Sequence, residues 1–369
     1  MNAKRTDLSP MREAALLRHA PFLRYYLARG LGSFAYQMAA VAVGWQIYAL
    51  THSAFLLGMV GLAQFIPAAG LVFFAGHVSD RYSRKHVVMV CQIFEAMASL
   101  LLALSAFGHW ESVGVIFAAV VVIAAARSFE NPAMSALLNA VLPEGAFQRG
   151  AAMATGVFQL ATIVGPALGG FIYAISPGWP YAAMALGWAA SATAVAGILV
   201  DRPPVAKEPP SLRALFAGVG FVRRHPMILG TISLDLFAVL LGGATALLPI
   251  YARDILHTGP WGLGLLRGAP AAGALLMTLW LARHPVERRV GMRMFQAVIV
   301  FGLGTILFGL SHSIPLSVLA LAVMGAADMI SMVIRVSLVQ LRTPDDMRGR
   351  VGAVNFPVSY THPEPTRPY

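Results

Sequence analysis

Charged side chains are scarce in this sequence. Asp, Glu, Lys and Arg make up 12% of its 369 residues, about half the share found in an ordinary soluble domain. With 58% hydrophobic residues and a mean hydropathy of +0.70, there is more apolar surface than one soluble core can hide, and lipid has to cover most of it. The single cysteine, Cys91, lies in an apolar run, which excludes an internal disulfide and suggests a buried, inert thiol. No His/Cys cluster has zinc-ligand spacing, no Gly-x-x-x-x-Gly-Lys-Ser/Thr phosphate loop occurs, and no Ser/His/Asp constellation stands out. A metal, a cofactor, ATP as energy source and an enzymatic activity are therefore not expected. Residues 1–21 are basic and polar and lack the apolar core and small-residue cleavage site of a removable signal peptide.

What the sequence does have is long apolar runs. A spanning helix needs about 20 mostly apolar residues, and ten segments qualify: 24–50, 54–77, 86–107, 112–141, 150–175, 179–200, 226–252, 261–283, 293–311 and 315–341. Between the sixth and seventh lies a stretch with Pro203, Pro204, Pro209, Pro210 and several charges, the one real linker. The expected layout is a six-helix bundle over 1–200, a cytoplasmic linker over 201–225, a four-helix group over 226–355 and a polar tail over 356–369.

The net charge of +11 and pI near 10.3 raise the question of a nucleic-acid partner. Placement answers it. If the N-terminus is cytoplasmic, that side carries twenty-two of the Lys and Arg residues in the connections and the adjoining segment ends, and the opposite side only Arg253, as positive loops at an anionic inner leaflet require. The charge thus points to a multi-pass inner-membrane protein with the bilayer as its partner, and away from nucleic acid.

A weak internal repeat supports two related halves. An offset of 201 residues aligns Pro143, Glu144 and Arg149 with Pro344, Asp345 and Arg350. Segments one and seven also end alike, at Trp45-Gln-Ile-Tyr48 and Leu248-Pro-Ile-Tyr251. Parallel repeats of this kind suit a transporter with its substrate held between the halves near mid-membrane.

Two motifs carry more specific information. Between segments two and three runs Gly76-His-Val-Ser-Asp80-Arg81-Tyr-Ser-Arg84-Lys85. Glycine permits a close turn, Asp80 can pair with an arginine or a helix N-terminus, and the basic residues hold the loop at the cytoplasmic face. In segment five, Gly156 precedes Gly165-Pro166-Ala-Leu-Gly169-Gly170, small residues that let helix backbones approach in lipid, with a proline that bends the helix. By itself this second motif reads equally well as a packing seam.

The first motif resembles the signature of the major facilitator superfamily, and the second is similar to that family's antiporter motif. Further stretches, Trp45-Gln-Ile-Tyr-Ala-Leu-Thr51, Arg127-Ser-Phe-Glu-Asn-Pro132-Ala, Leu234-Asp235-Leu-Phe, Leu247-Leu-Pro-Ile-Tyr-Ala252 and Thr343-Pro-Asp-Asp-Met-Arg-Gly-Arg350, resemble its enterobactin-exporter branch. The resemblance implies an all-α membrane protein of two pseudo-symmetric bundles, twelve helices in the family and six plus four here. It implies export of a siderophore-like or amphipathic drug-like molecule by proton antiport, with Gly76, Asp80, Arg81, Arg84 and Lys85 as gating residues. The likeness stops at Val354-Asn355, after which Pro357, Pro363, Pro365 and Pro368 forbid a helix. Helices eleven and twelve are then missing, and residues from about 356 read as a frameshift or assembly artefact.

Ionisable groups inside a bilayer usually face a cavity or a partner. Arg127 and Glu130 fall near the middle of segment four, Asp328 and Arg335 in segment ten and Asp235 in segment seven. Arg127 and Glu130 can also form a static pair three residues apart, as can Asp328 and Arg335. The repeat places Arg127 and Asp328 at equivalent positions, which suggests that they face each other, and Asp235 is the preferred proton carrier. Glu95 and Arg267 are expected to lie near the membrane faces, without a central role. Tyr36, Gln37 and Gln159 are expected to line the substrate cavity. Two rival readings are a non-transporting membrane scaffold or receptor, and an importer or lipid flippase; a monomer is expected in each. The topology predicts that cysteines placed at Tyr82 and His225 both react with an impermeant thiol reagent from the cytoplasmic side only. Labelling from opposite faces contradicts it.

Overall fold

The computed structural model describes residues 13–143, 145–199, 229–230, 233, 246–284 and 290–342, and among these all regular structure is helical. A short α1 (Glu13–Arg18) leads into α2 (Ala20–Thr51), α3 (Ala54–Arg81), α4 (Arg84–Phe107), α5 (Val113–Val141), α6 (Phe147–Ile175) and α7 (Gly178–Ala196). After them come α8 (Leu248–Ile250), continued by a π-helical turn over Tyr251–Ile255, then α9 (Pro260–Arg283), α10 (Val290–Leu310) and α11 (Ile314–Arg342). Segments one to six and eight to ten become α2–α7 and α9–α11, with ends within four residues of those expected. Most of segment seven, the linker and the tail lie outside the described residues.

Length and polarity explain why the chain takes this form. In hydrocarbon each backbone N–H and C=O has to be bonded within its own segment, which a helix achieves. Seven of the described helices are long and apolar enough to cross a bilayer. Their ends carry local signals. The hydroxyls of Ser53 and Ser112 accept the N–H groups of Leu56 and Val115 at 3.3 and 3.2 Å, capping α3 and α5. At the far end of α2, His52 takes a φ of 48° and donates its N–H to the Tyr48 carbonyl at 2.9 Å.

Polarity is distributed inside out. Phe55, Ile175, Leu186 and Leu310 are 72–77% exposed, whereas Gln92, Glu95, Ser99 and Ser191 are fully buried. This is the pattern of a protein whose solvent is lipid. In the first group of helices α2 packs on α6 and α7, α4 on α5 and α7, and α3 on α5; in the second, α11 packs on both α9 and α10. Trp188, Tyr181 and Met184 of α7 fill a core with Leu102, Ile116 and Ile47. Contact between the two groups runs mainly along α6 and α9.

One prediction of the sequence requires revision. The Gly76–Lys85 motif was expected to form a loop, yet α3 continues to Arg81 and only Tyr82 and Ser83 separate it from α4. The basic side chains that follow are anchored. Lys85 donates to the Ile198 carbonyl at 2.8 Å and Arg84 to the Ala136 carbonyl at 3.3 Å. Arg24 donates to the Gly197 carbonyl. Two cations thus sit at the carbonyl end of α7, where the helix dipole favours positive charge.

In the second group the backbones of α9 and α11 touch. A Cβ on Gly273 would overlap the Ala322 carbonyl, and one on Gly325 the Pro270 carbonyl. Gly325→Ala should therefore lower stability by about 1–3 kcal/mol, the usual cost of overpacking, seen as a lower melting temperature of the purified protein in detergent. Gly302→Ala, where nothing lies within 4 Å of the added atom, should leave it unchanged.

Candidate functional site

Polar residues of the described interior lie both inside the first helix group and at its boundary with the second. The framework of that boundary is the seam between α6 and α9. A Cβ on Gly170 would collide with the Pro260 carbonyl, one on Gly264 would lie within overlap of the Pro166 carbonyl, and one on Gly268 within overlap of that of Ile163. On its other side α6 meets α2, where Gly165 faces Gln37 and Gly169 faces the backbone of Met38. Gly165, Gly169 and Gly170 therefore act as a close-packing surface, as the plainer reading of that motif has it. Gly156 is different, with open space around it, and Pro166 lies inside α6 where it withholds a backbone donor.

Beside this seam lies a charged cluster. Arg127 and Glu130 of α5 form an ion pair with Nη1 and Oε2 3.0 Å apart. The Arg127 guanidinium also covers the ring of Tyr36 on α2 at 4.2 Å from its centroid, a favourable contact for a desolvated cation. From α4, Gln92 donates to the other Glu130 oxygen at 2.8 Å. One turn along α4, Glu95 is fully buried with Glu130 as its acidic neighbour, and neither of its oxygens has a hydrogen-bond partner.

The second helix group closes the site. Arg267 of α9 lies against α2, so that a Cβ on Gly44 would be 3.8 Å from its Nη2. Its Nε is buried with no hydrogen-bond partner, and among the described residues it has no ion pair. Gln159 of α6 donates across to the Ala271 carbonyl at 3.2 Å, and Gln37 donates to the Thr162 hydroxyl at 3.1 Å. Arg29 stands 5.0 Å above the ring of Phe158. Toward the α2 C-terminus, the Tyr48 hydroxyl donates to Asp254 and Arg253 lies 6.0 Å from the same ring. That end of the boundary is fastened by contacts between the two halves.

The sequence profile of the Major Facilitator Superfamily matches residues 25–361. The chain belongs to that superfamily. It is 25% identical over 344 residues to the enterobactin exporter EntS of Shigella boydii serotype 4, covering 92% of this chain and 82% of that one. EntS of Citrobacter koseri is 26% identical over the same length and coverage. Among solved structures, a bacterial homologue of the human lysosomal transporter Spinster, inward-facing and unoccupied, superposes with a TM-score of 0.71 at 13% identity, over 92% of this chain and 78% of that one. The nucleoside transporter NupG gives 0.70 at 15% identity, over 92% and 87%. The chain is thus a multi-pass membrane protein of a transporter family.

Within this superfamily fold the expected site residues separate. Tyr36, Gln37, Gln159, Arg127 and Glu130 come together beside the boundary. Arg335 is buried and Asp328 half-buried on α11. Asp235 and the side chain of Asp80 lie outside the described residues, and Arg81 is exposed. Glu95 and Arg267 were both expected near the membrane faces, without a central role. Glu95 lies midway along α4 and is sealed among polar groups, and Arg267 reaches the boundary between the halves. The cost of a charge within a span marks both residues, but position along a helix says little about direction around it. Asp254, which the expected end of segment seven left in a loop, is carried onto Tyr48 by the π-helical turn.

Breaking a buried ion pair from one side leaves the other charge without compensation. Arg127→Met should lower stability by about 3–5 kcal/mol. The double variant Arg127→Met/Glu130→Gln should recover most of that loss, as read by thermal unfolding in detergent. Equal losses in both variants contradict a paired arrangement.

Proposed function

We propose that this chain is a secondary active transporter that exports an amphipathic, siderophore-like or drug-like molecule across the inner membrane by alternating access, with protons as counter-ion. One observation carries the reading. Arg267 from one half lies against α2 of the other at Gly44, and two turns along α2 Tyr36 carries Arg127 on its face. A guanidinium with no ion pair among the described residues, held against the helix that carries this ring, suits a ligand with an anionic or phenolic group and a flat apolar body. The enterobactin exporters to which the chain is similar support this choice of substrate class.

The remaining assignments belong to the same proposal. The chain acts as a monomer with its N-terminus in the cytoplasm, and its substrate lies between a bundle over 1–200 and a second over 226–355. Gly76, Asp80, Arg81, Arg84 and Lys85 form the cytoplasmic gate; of the motif Gly156, Gly165, Pro166, Gly169 and Gly170, the last meets the second half at Pro260 and forms part of the surface on which the halves rock. Tyr36, Gln37 and Gln159 contact substrate. Asp328 and Arg335 contribute charge from α11, and Asp235 assists proton movement. The Tyr48–Asp254 contact closes the outer side in the conformation described, in keeping with an inward-facing relative.

The test is enterobactin release by a strain deleted for its own exporter and supplied with the full chain. Restored release is expected, and it should be abolished by Asp80→Asn and by Asp235→Asn. Arg267→Gln should raise the concentration needed for half-maximal export roughly tenfold, the equivalent of one lost charge-assisted hydrogen bond. Retention unchanged from the deletion strain would favour a non-transporting scaffold, and increased uptake from the medium would favour an importer.

A further inference from the structure

Glu95 poses a chemical problem that the ion pair beside it does not solve. It is fully buried, and neither carboxyl oxygen receives a hydrogen bond. A carboxylate moved out of water without a donor is costly enough that such groups neutralise instead. The charged groups around it are few. From α5 come Glu130 and Arg127, and its own helix adds only the Cys91 thiol one turn earlier. Helix α7, packed along the whole of α4, contains no Asp, Glu, Lys, Arg or His. Helix α3 touches α4 only lightly and brings Arg81 at its cytoplasmic end, the side chains of His77 and Asp80 being outside the described residues.

Glu130 is therefore the decisive neighbour. Its two oxygens are already taken, one by Arg127 at 3.0 Å and one by Gln92 at 2.8 Å, so that it faces Glu95 as an acceptor. Two ionised carboxylates cannot bond to each other, but a carboxylic acid and a carboxylate can. With both glutamates ionised, the cluster of Glu95, Glu130 and Arg127 carries one excess negative charge. One added proton brings it to neutrality and supplies the donor that Glu95 lacks.

We propose that Glu95 and Glu130 together form the proton-binding site of this transporter, holding one exchangeable proton on Glu95 directed at Glu130. Loading forms one O–H bond on a Glu95 oxygen with a proton taken from water on one side of the membrane. Release breaks that bond and returns the proton to water on the other side, with no other bond made or broken. The site communicates with the central cavity through Arg127, whose guanidinium pairs with Glu130 at one edge and covers Tyr36 with its face. Gln92 orients Glu130. This inference rests on the antiport reading given above, and its test separates the two.

The first measurement needs no substrate. Infrared difference spectra of the purified full chain should show a protonated-carboxyl band at neutral pH that disappears in Glu95→Gln and shifts in Glu95→Asp. The second uses enterobactin as probe in proteoliposomes. Glu95→Gln should lose at least tenfold of the transport driven by a pH gradient and keep the exchange of labelled for unlabelled enterobactin without a gradient. A purely structural glutamate would lose both together or neither. Persistence of the infrared band in Glu95→Gln, or gradient-driven transport equal to wild type, overturns the proposal. If Glu95→Gln does not fold, an unshifted band in Glu95→Asp overturns it. A wild-type protein that exchanges enterobactin but ignores the pH gradient refutes antiport, and the infrared band still decides whether Glu95 holds the proton.

Discussion

The organisation of this protein depends on the absence of water from the hydrocarbon core. A polar group there has to find its partner inside the protein, or do without at a cost of several kcal/mol. The backbone answers with helices. The side chains answer with a layer of contacts set away from lipid, in which Gln92, Glu130, Arg127 and Tyr36 form one connected chain of bonds. Replacing such a chain with well-packed apolar groups is often neutral or stabilising, so its presence in a molecule otherwise rich in Leu, Ala and Val points toward function.

Glycine plays the complementary role. Where α6 meets α9 and α9 meets α11, backbone carbonyls occupy the space a Cβ would need, and van der Waals contact replaces the hydrophobic drive that lipid removes. Tight backbone contact and a polar cluster lie side by side along the same boundary. The seam fixes where α6 and α9 stand, α2 packs on α6, and along these three helices lie Tyr36, Gln37, Gln159 and Arg267.

Much of this was legible in the sequence, and the failures have physical causes. Length and apolar content determine a span almost by themselves, so the helix ends expected at Ala54, Phe107, Val141, Ile175 and Arg283 coincide with those in the structure. The short-range pair Arg127–Glu130 is fixed by helix geometry alone. Burial around a helix is another matter. Glu95 and Phe94 are adjacent in sequence, yet one is sealed and the other is 51% exposed, and only the packing of α5 and α7 decides between them. The contact of Tyr48 with Asp254 joins residues 206 positions apart and depends on a π-helical turn for which no propensity rule gives warning. A concentration of acidic and aromatic residues at the same expected membrane level was the available clue.

The seam between α6 and α9 also limits how the molecule can deform. With the Pro260, Pro166 and Ile163 carbonyls each seated in a notch left by a missing methyl group, the two helices mesh like teeth. Axial sliding would lift every tooth from its notch at once, whereas rotation about the line of contact disturbs them little. Relative motion of the two helix groups that keeps this seam would be an arc around a fixed axle, with the side chains farthest from that axle travelling the greatest distance.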